Sequence, residues 1–267
     1  MYRANAISYL GDENSYSYAA AVKLAHGEYK AYSGLRKVMN AVQCGECDLA
    51  VLPVENNVEG AVNEVYDELY DSGLYILRQL VLPIRHSLIA ADGADISRIR
   101  TVVSHPQALA QCRKFIDAHG FSVRSASSTS EALKAVGADG EVAAIAFRPL
   151  RGQSVVMHGI QDSSLNATRF ALLGKTPNER GDKASVSFDL KNKPGALLDV
   201  LRVISDNAVN LTRIISRPHR SGDGEYRFFA DFDYASTDDE LKKLLSAVKL
   251  QCTGFRFLGR YDCVICD

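Results

Sequence analysis

The stretch "TVVSHPQALAQCRKFIDAHG", residues 101–120, sets a strand directly against a helix. "TVVSH" reads as a short buried strand, and Pro106 follows in the first helical turn, where its missing N–H costs nothing. Gly120 supplies the stop. The same alternation extends both ways. Upstream, strand "AISYLG" precedes a helix starting near Ser15 and stopping at Gly27. Helix "GLRKVMNAVQCG", strand "DLAVLPVEN" and helix "GAVNEVYDELYDSG" follow, and then the extended run "LYILRQLVLPIRHSLIAA", broken at Pro83. Downstream, "FSVRSASS", "TSEALKAVGADG" and "EVAAIAF" give strand, helix and strand. This order implies α/β units on mostly parallel sheets, whose ligands bind beyond the carboxyl ends of the strands.

At residues 175–183 the chain becomes polar and rich in turn formers, "KTPNERGDK", and reads as a linker. Beyond it come strand "ASVSFDL", helix "GALLDVLRVISDN", strand "VNLTRIISRP", turn "HRSGDGE", strand "YRFFADFDY", helix "TDDELKKLLSAVKLQ" and strand "FRFLGRY". That βαββαβ order is ferredoxin-like.

A chain of 267 residues suits two domains. Its hydrophobic share of 46% and charged share of 24% are those of an ordinary globular protein. A net charge of -1 argues against a nucleic-acid partner, which calls for a basic excess. No apolar run reaches membrane-spanning length, and "MYRANAISYLG" lacks the core of a signal peptide, so a cytoplasmic protein without membrane contact is expected. Cys44 and Cys47 are separated from Cys263 and Cys266 far beyond the roughly 15–20 residues of compact zinc modules. Reduced thiols and no metal are the expectation.

Polar residues gather at the strand ends: Glu55, Asn56 and Asn57; Ser104, His105 and Gln107; Ser127, Ser128 and Thr129. A fourth set, Asn166, Thr168 and Arg169, stands before the apolar run of "SLNATRFALLG", residues 164–174. Each set has a bland reading. Ser128 or Thr129 caps the helix that follows, and His105 opens the next one. Together, however, strand ends of one sheet layer converge in space. "GDENSYS", residues 11–17, turns into a helix N-terminus, which can hold an anion. There is no Gly-rich phosphate loop and no pattern for an activated nucleophile. The residues point to a cleft for a small, polar, anionic metabolite.

"YLGDENSYSYAAA", "AVLPVENNVEGAVNEVYDEL", "SHPQALAQC", "SSTSEA" and "NATRFALLG" together resemble the motif series of prephenate dehydratase. "KPGALLDVLRVISDNAVNLTRIISRP" resembles the regulatory ACT domain that follows it in that family. The resemblance implies a catalytic domain over residues 3–176 and an ACT domain over 184–262. The first would have two α/β lobes, as in type II periplasmic binding proteins, with crossovers near Pro83 and His158. It implies conversion of prephenate to phenylpyruvate, water and carbon dioxide, with no cofactor because aromatisation drives the elimination. Thr168 would be catalytic, hydrogen-bonding the departing hydroxyl. Arg169, Asn166, Glu55, Asn56, Ser104 and Ser15 would bind the substrate. Arg169 suits a carboxylate through its planar fork, or else serves as an ion-pair partner within the fold. Gly195, Ala196, Leu197, Asn210 and Ser216 would bind L-phenylalanine as effector, and exposed ACT edges imply a homodimer or homotetramer.

The chain also departs from the family. Asn14, Ser15 and Tyr16 replace the usual Gly-Thr-Phe, Asn57 replaces a serine, and Ile215 takes the place of a glutamate. Those changes keep two alternatives open: an arogenate dehydratase, or a non-catalytic metabolite sensor on the same scaffold.

Overall fold

The computed structural model describes residues 1–218, 225–234 and 237–266. Apart from Glu225, the turn expected at 219–225 lies outside the described residues. The chain begins with β1 (Tyr2–Leu10), α1 (Tyr16–Leu24), β2 (Ala25–Tyr32), α2 (Leu35–Gln43) and β3 (Leu49–Asn56). The short β4 (Gly60–Ala61), α3 (Asn63–Ser72) and β5 (Tyr75–Pro83) follow. Next come β6 (Ser87–Ala91), β7 (Thr101–Ser104), α4 (Pro106–Gln111), α5 (Arg113–His119) and β8 (Ser122–Ser125). Then α6 (Thr129–Lys134), β9 (Val142–Ala146), β10 (Gln153–His158) and β11 (Ala167–Gly174) complete the first part. The C-terminal unit is β12 (Lys183–Leu190), α7 (Ala196–Asp206), β13 (Asn210–Pro218), β14 (Tyr226–Asp233), α8 (Asp238–Lys249) and β15 (Gly254–Ile265). It keeps the expected βαββαβ order.

Strands β10-β6-β9-β7-β8 form one sheet, the second lobe. The other sheet runs β13-β14-β12-β15-β5-β11-β3-β1-β2, with β4 beside β3, and so joins the first lobe to the C-terminal unit. The chain passes between lobes at residues 84–86 and again at 159–166, next to Pro83 and His158. β15 makes the join. Its first part pairs with β12 as far as Tyr261, and Asp262 to Ile265 pair in parallel with Arg78 to Val81 of β5. The bend falls at Gly259, with φ +134°, where a Cβ would sit 2.4 Å from the Ile76 carbonyl oxygen. Only glycine fits that approach.

Three local readings differ from the sequence expectation. The first helix ends at Leu24 rather than Gly27, and the chain turns straight into β2. Gly27 lies inside that strand, where a Cβ would come within 2.3 Å of the Ala4 carbonyl oxygen. It is a close-packing glycine, not a helix stop. The helix expected over 106–119 breaks at Cys112 into α4 and α5. β10, on the edge of its sheet, was not anticipated from the half-polar "QSVVMH".

Both faces of the first-lobe sheet are buried. On β11, Phe170 and Leu172 pack into one core with Ile7, Tyr9 and Leu24. Ala171 and Leu173 pack into the other, which continues into the C-terminal unit through Phe229, Leu258 and Tyr261. Successive side chains of a strand point to opposite faces. β11 therefore presents Thr168 on the first face and Arg169 on the second.

Candidate active site

A cavity of about 400 Å³ opens between the lobes. Thr168, Phe170, Asn56 and Asn166 line it from the first lobe. His105, Gln107, Gln111 and the run Ser127 to Thr129 line it from the second, and His86 from the first crossover. Ser15 and Tyr16 stand at the N-terminus of α1. Ser15 is the N-cap: its hydroxyl accepts from the Tyr18 N–H at 3.2 Å and donates to the Asp12 carbonyl at 2.7 Å. The first turn of α1 itself carries no acidic residue, although Asp12 and Glu13 lie just before the Ser15 cap. The Tyr16 phenol donates to the Arg85 carbonyl and accepts from the Arg85 N–H at 2.8 Å, and its ring lies 4.3 Å from that of Phe147. Tyr16 thus ties α1 to the first crossover and to the end of β9.

The polar groups around Thr168 have fixed directions. The Asn56 side-chain oxygen accepts from the Val58 and Glu59 N–H groups at 3.0 and 3.2 Å. Its amide nitrogen must then face the other way, and it donates to Asn166 Oδ1 at 2.8 Å and to Thr168 Oγ1 at 2.9 Å. Asn166 Nδ2 in turn donates to Gln111 Oε1 at 3.0 Å. That same oxygen lies 2.8 Å from His86 Nε2, so the imidazole carries its proton on Nε2. Burial pushes the His86 pKa below its ordinary value, which keeps the ring neutral near pH 7. Thr168 Oγ1, at the cavity wall, therefore accepts the Asn56 bond, which leaves its own hydroxyl proton uncommitted to that partner.

The cavity lining contains hydroxyls, amides and two imidazoles, and no Lys, Arg, Asp or Glu among the described residues. This bears on the expected substrate residues. Thr168, Asn166, Asn56 and Ser15 are brought together. Arg169 and Glu55 are not: they sit on the opposite face of the sheet, paired to each other with Arg169 Nε 3.2 Å from Glu55 Oε2. Arg169 also donates to Gln79 Oε1 at 3.1 Å. Strand alternation turns the fork away from the cleft, and the ion-pair reading of Arg169 is the one its geometry matches. Ser104 is fully buried and donates to the Ile145 carbonyl at 2.6 Å, bracing β7 against β9 rather than lining the cavity.

Sequence reasoning missed Gln111, His86 and Tyr16 as cleft residues. Gln111 had a signal, since it lies four residues after Gln107 and so on the same helix face. His86, a lone histidine after Pro83, had none. Ser128 proves to be both cap and cleft residue, with its hydroxyl accepting from the Glu131 N–H at 3.0 Å.

In the C-terminal unit, Gly195 adopts φ +83° as N-cap of α7. Ala196 and Leu197 line a cavity of about 110 Å³ together with Lys191, Lys193, Tyr226 and Phe228. Ser216 lies opposite Phe228 on the neighbouring strand, hence on the same sheet face. Asn210 lies outside this lining and donates to Asp233 at 3.0 Å. Ile215 points the other way and packs on the first-lobe core.

Comparisons with known proteins identify the family. The family pattern of prephenate dehydratase matches residues 7–178, and that of the ACT domain matches residues 184–249. A prephenate dehydratase of Methanocaldococcus jannaschii is 38% identical over 80% of this chain and 80% of its own. A bifunctional chorismate mutase/prephenate dehydratase of Stutzerimonas stutzeri is 36% identical over 96% of this chain and 72% of its own. Among solved structures, the prephenate dehydratase of Arthrobacter aurescens in complex with L-Phe superposes with a TM-score of 0.85 at 29% identity, covering 96% of this chain and 90% of its own. The chain belongs to the prephenate dehydratase family, with an ACT domain following the catalytic lobes.

Proposed function

We propose that the interlobe cleft converts prephenate to phenylpyruvate, water and carbon dioxide, with Thr168 hydrogen-bonding the departing hydroxyl. The ring carboxylate leaves as carbon dioxide. Its bonding electrons complete the aromatic ring and expel the hydroxyl at the far carbon, which takes up a proton to leave as water. A threonine hydroxyl is a poor acid, so its contribution is a bond that strengthens as negative charge grows on the departing oxygen. The observation that carries this reading is the Asn56 amide bond to Thr168 Oγ1, which leaves the hydroxyl proton for the substrate. Asn56 and Asn166 hold Thr168 in that orientation. The two substrate carboxylates meet dipoles instead of fixed cations: the N-terminus of α1 at Ser15, and hydroxyl and amide donors of both lobes.

Purified protein incubated with prephenate, with phenylpyruvate read by its absorbance in base, tests the reading. Turnover is expected. No turnover on prephenate or on arogenate would leave a sensor on the same scaffold.

The proposal extends to regulation and assembly. Residues 3–176 act as the catalytic unit and 184–262 as the regulatory unit. L-phenylalanine binds beside Gly195, Ala196 and Leu197, with Ser216 on the neighbouring strand, and lowers activity. The support is the α7 N-terminus beside a small cavity and a relative whose structure holds L-Phe. Titration calorimetry beside kinetics tests it. β13 ends the shared sheet and leaves an open edge, which a second copy would cover in a homodimer or homotetramer. Light scattering showing a stable monomer at micromolar concentration would remove that. Among the described residues no helix is long and apolar enough to cross a membrane.

A further inference from the structure

Behind the catalytic strands, on the face away from the cleft, four charges meet. Glu55 on β3 and Arg169 on β11 belong to the catalytic lobes; Arg213 on β13 and Asp231 on β14 belong to the ACT domain. Arg213 Nε lies 3.5 Å from Glu55 Oε1, and Arg213 Nη1 lies 3.4 Å from Asp231 Oδ2. Glu55 uses its other oxygen for Arg169 at 3.2 Å. Arg213 also donates to the Tyr66 hydroxyl and lies over that ring. Glu55 and Arg169 are register partners on neighbouring strands, next to the partners Asn56 and Thr168. The Arg213–Glu55 contact therefore bears, one residue away, on the strand pair that orients the catalytic hydroxyl.

We infer that Arg213 is a positioning residue for catalysis, acting through Glu55 and Arg169 on the Asn56–Thr168 pair, and that it is the contact through which the ACT domain governs the cleft. Two features suit it to that task. First, each domain contributes one cation and one anion. Parting the domains leaves Glu55 with Arg169 and Arg213 with Asp231, so no buried charge is stranded. A buried pair that loses one partner is strongly destabilised, and this arrangement avoids that penalty. Arg213 Nη2 is buried without a hydrogen-bond partner among the described residues, so the closed joint is not saturated. Such a joint can have two states. Second, β14 connects it to the ACT cavity. Phe228 lines that cavity, while Phe229 and Asp231 face the catalytic domain, with the Phe229 ring 5.1 Å from Tyr66. A ligand that shifts β14 shifts the joint. This second feature rests on the proposed L-phenylalanine site; the positioning role does not.

The test compares Arg213→Met with Arg217→Met. Arg217 also bridges the domains, through two bonds to Asp67 at 3.1 and 2.7 Å, but touches neither Glu55 nor Arg169. Without effector, Arg213→Met is expected to lower kcat about tenfold with KM nearly unchanged, since a transition-state contact is misplaced and no substrate contact is lost. Arg217→Met should keep kcat within about twofold, and Arg213→Lys should recover part of the loss. Equal kcat in the two methionine variants, with both folded by circular dichroism, overturns the positioning role. With L-phenylalanine added, the parent's inhibition, of order 5–150-fold for ordinary coupling, should shrink towards none in Arg213→Met while calorimetry still detects binding. Full inhibition of Arg213→Met overturns its part in coupling. If the parent itself shows no binding, the effector site is what fails, and the kcat comparison decides the positioning role alone.

Discussion

The two faces of β11 solve opposite problems with adjacent residues. Thr168 faces a cavity without fixed charge among its described lining, where direction comes from a chain of amides. Arg169 faces a joint of paired ions, where two domains meet. The contrast teaches how a cleft can accept a substrate with two carboxylates. Oriented dipoles need no counter-ion in the empty site, whereas a buried unpaired arginine would be costly. Fixed charges are kept behind the sheet, where each has a permanent partner.

The sharpest way to break that comparison is Thr168→Ala. Loss of a comparable transition-state donor costs roughly 10²–10³ in kcat, and the fold should survive because the site is small and hydrogen-bonded on one side only. Near-parental turnover would make Thr168 structural. Next comes Asn56→Ala, which removes the donor to Thr168 and Asn166. Leaving buried polar groups unpaired costs about 1–3 kcal/mol, or roughly 5–150-fold in kcat/KM if it falls on the transition state. An effect below twofold would show that the amide chain does not orient the hydroxyl.

Arg169→Lys tests the other face. Lysine keeps the charge but not the fork, so the joint weakens and kcat falls by a few fold, while KM stays within about twofold because no substrate contact is lost. A tenfold rise in KM would return Arg169 to the cleft. A smaller effect concerns pH. Burial lowers the His86 pKa in the folded chain, so the folded state binds fewer protons than the unfolded one as pH falls through the histidine range. The stability contribution is complete above the unfolded value of about 6.5 and declines as pH drops below it. Denaturant midpoints between pH 7.5 and 5 should show this slope, and His86→Gln should reduce it. Smallest is Tyr16→Phe, which deletes the bonds to Arg85 but keeps the ring against Phe147. A loss of about 1 kcal/mol in unfolding free energy is expected. No change would mean that the ring alone holds the crossover.

Much of the architecture was legible because its signals are local. Pro106 opens α4, Gly73 closes α3 in a left-handed conformation, and the break at Pro83 coincides with a change of sheet. Gly27 misled because a glycine that ends a helix and one that admits a neighbouring strand look alike in sequence. At the site, "NATRF" carried a period of two that separates Thr168 from Arg169, yet both were expected in the cleft. The reason is that β11 is buried on both faces, so no polar face marks which side meets solvent. The same holds for Glu55 beside Asn56. His86 and Arg213 act through contacts distant in sequence, with Gln111 and with Glu55, which no local pattern encodes.

The course of β15 also governs the order in which the protein can be made. During synthesis on the ribosome, β5 emerges early, but its parallel neighbour, Asp262 to Ile265, emerges only after the whole of β12 to α8. Until then one edge of β5 carries unpaired backbone groups in the middle of the future sheet, an invitation to wrong pairing. Because the segment that covers this edge is the tail of the strand that also pairs with β12, β5 gains its last neighbour only once the final strand has been made.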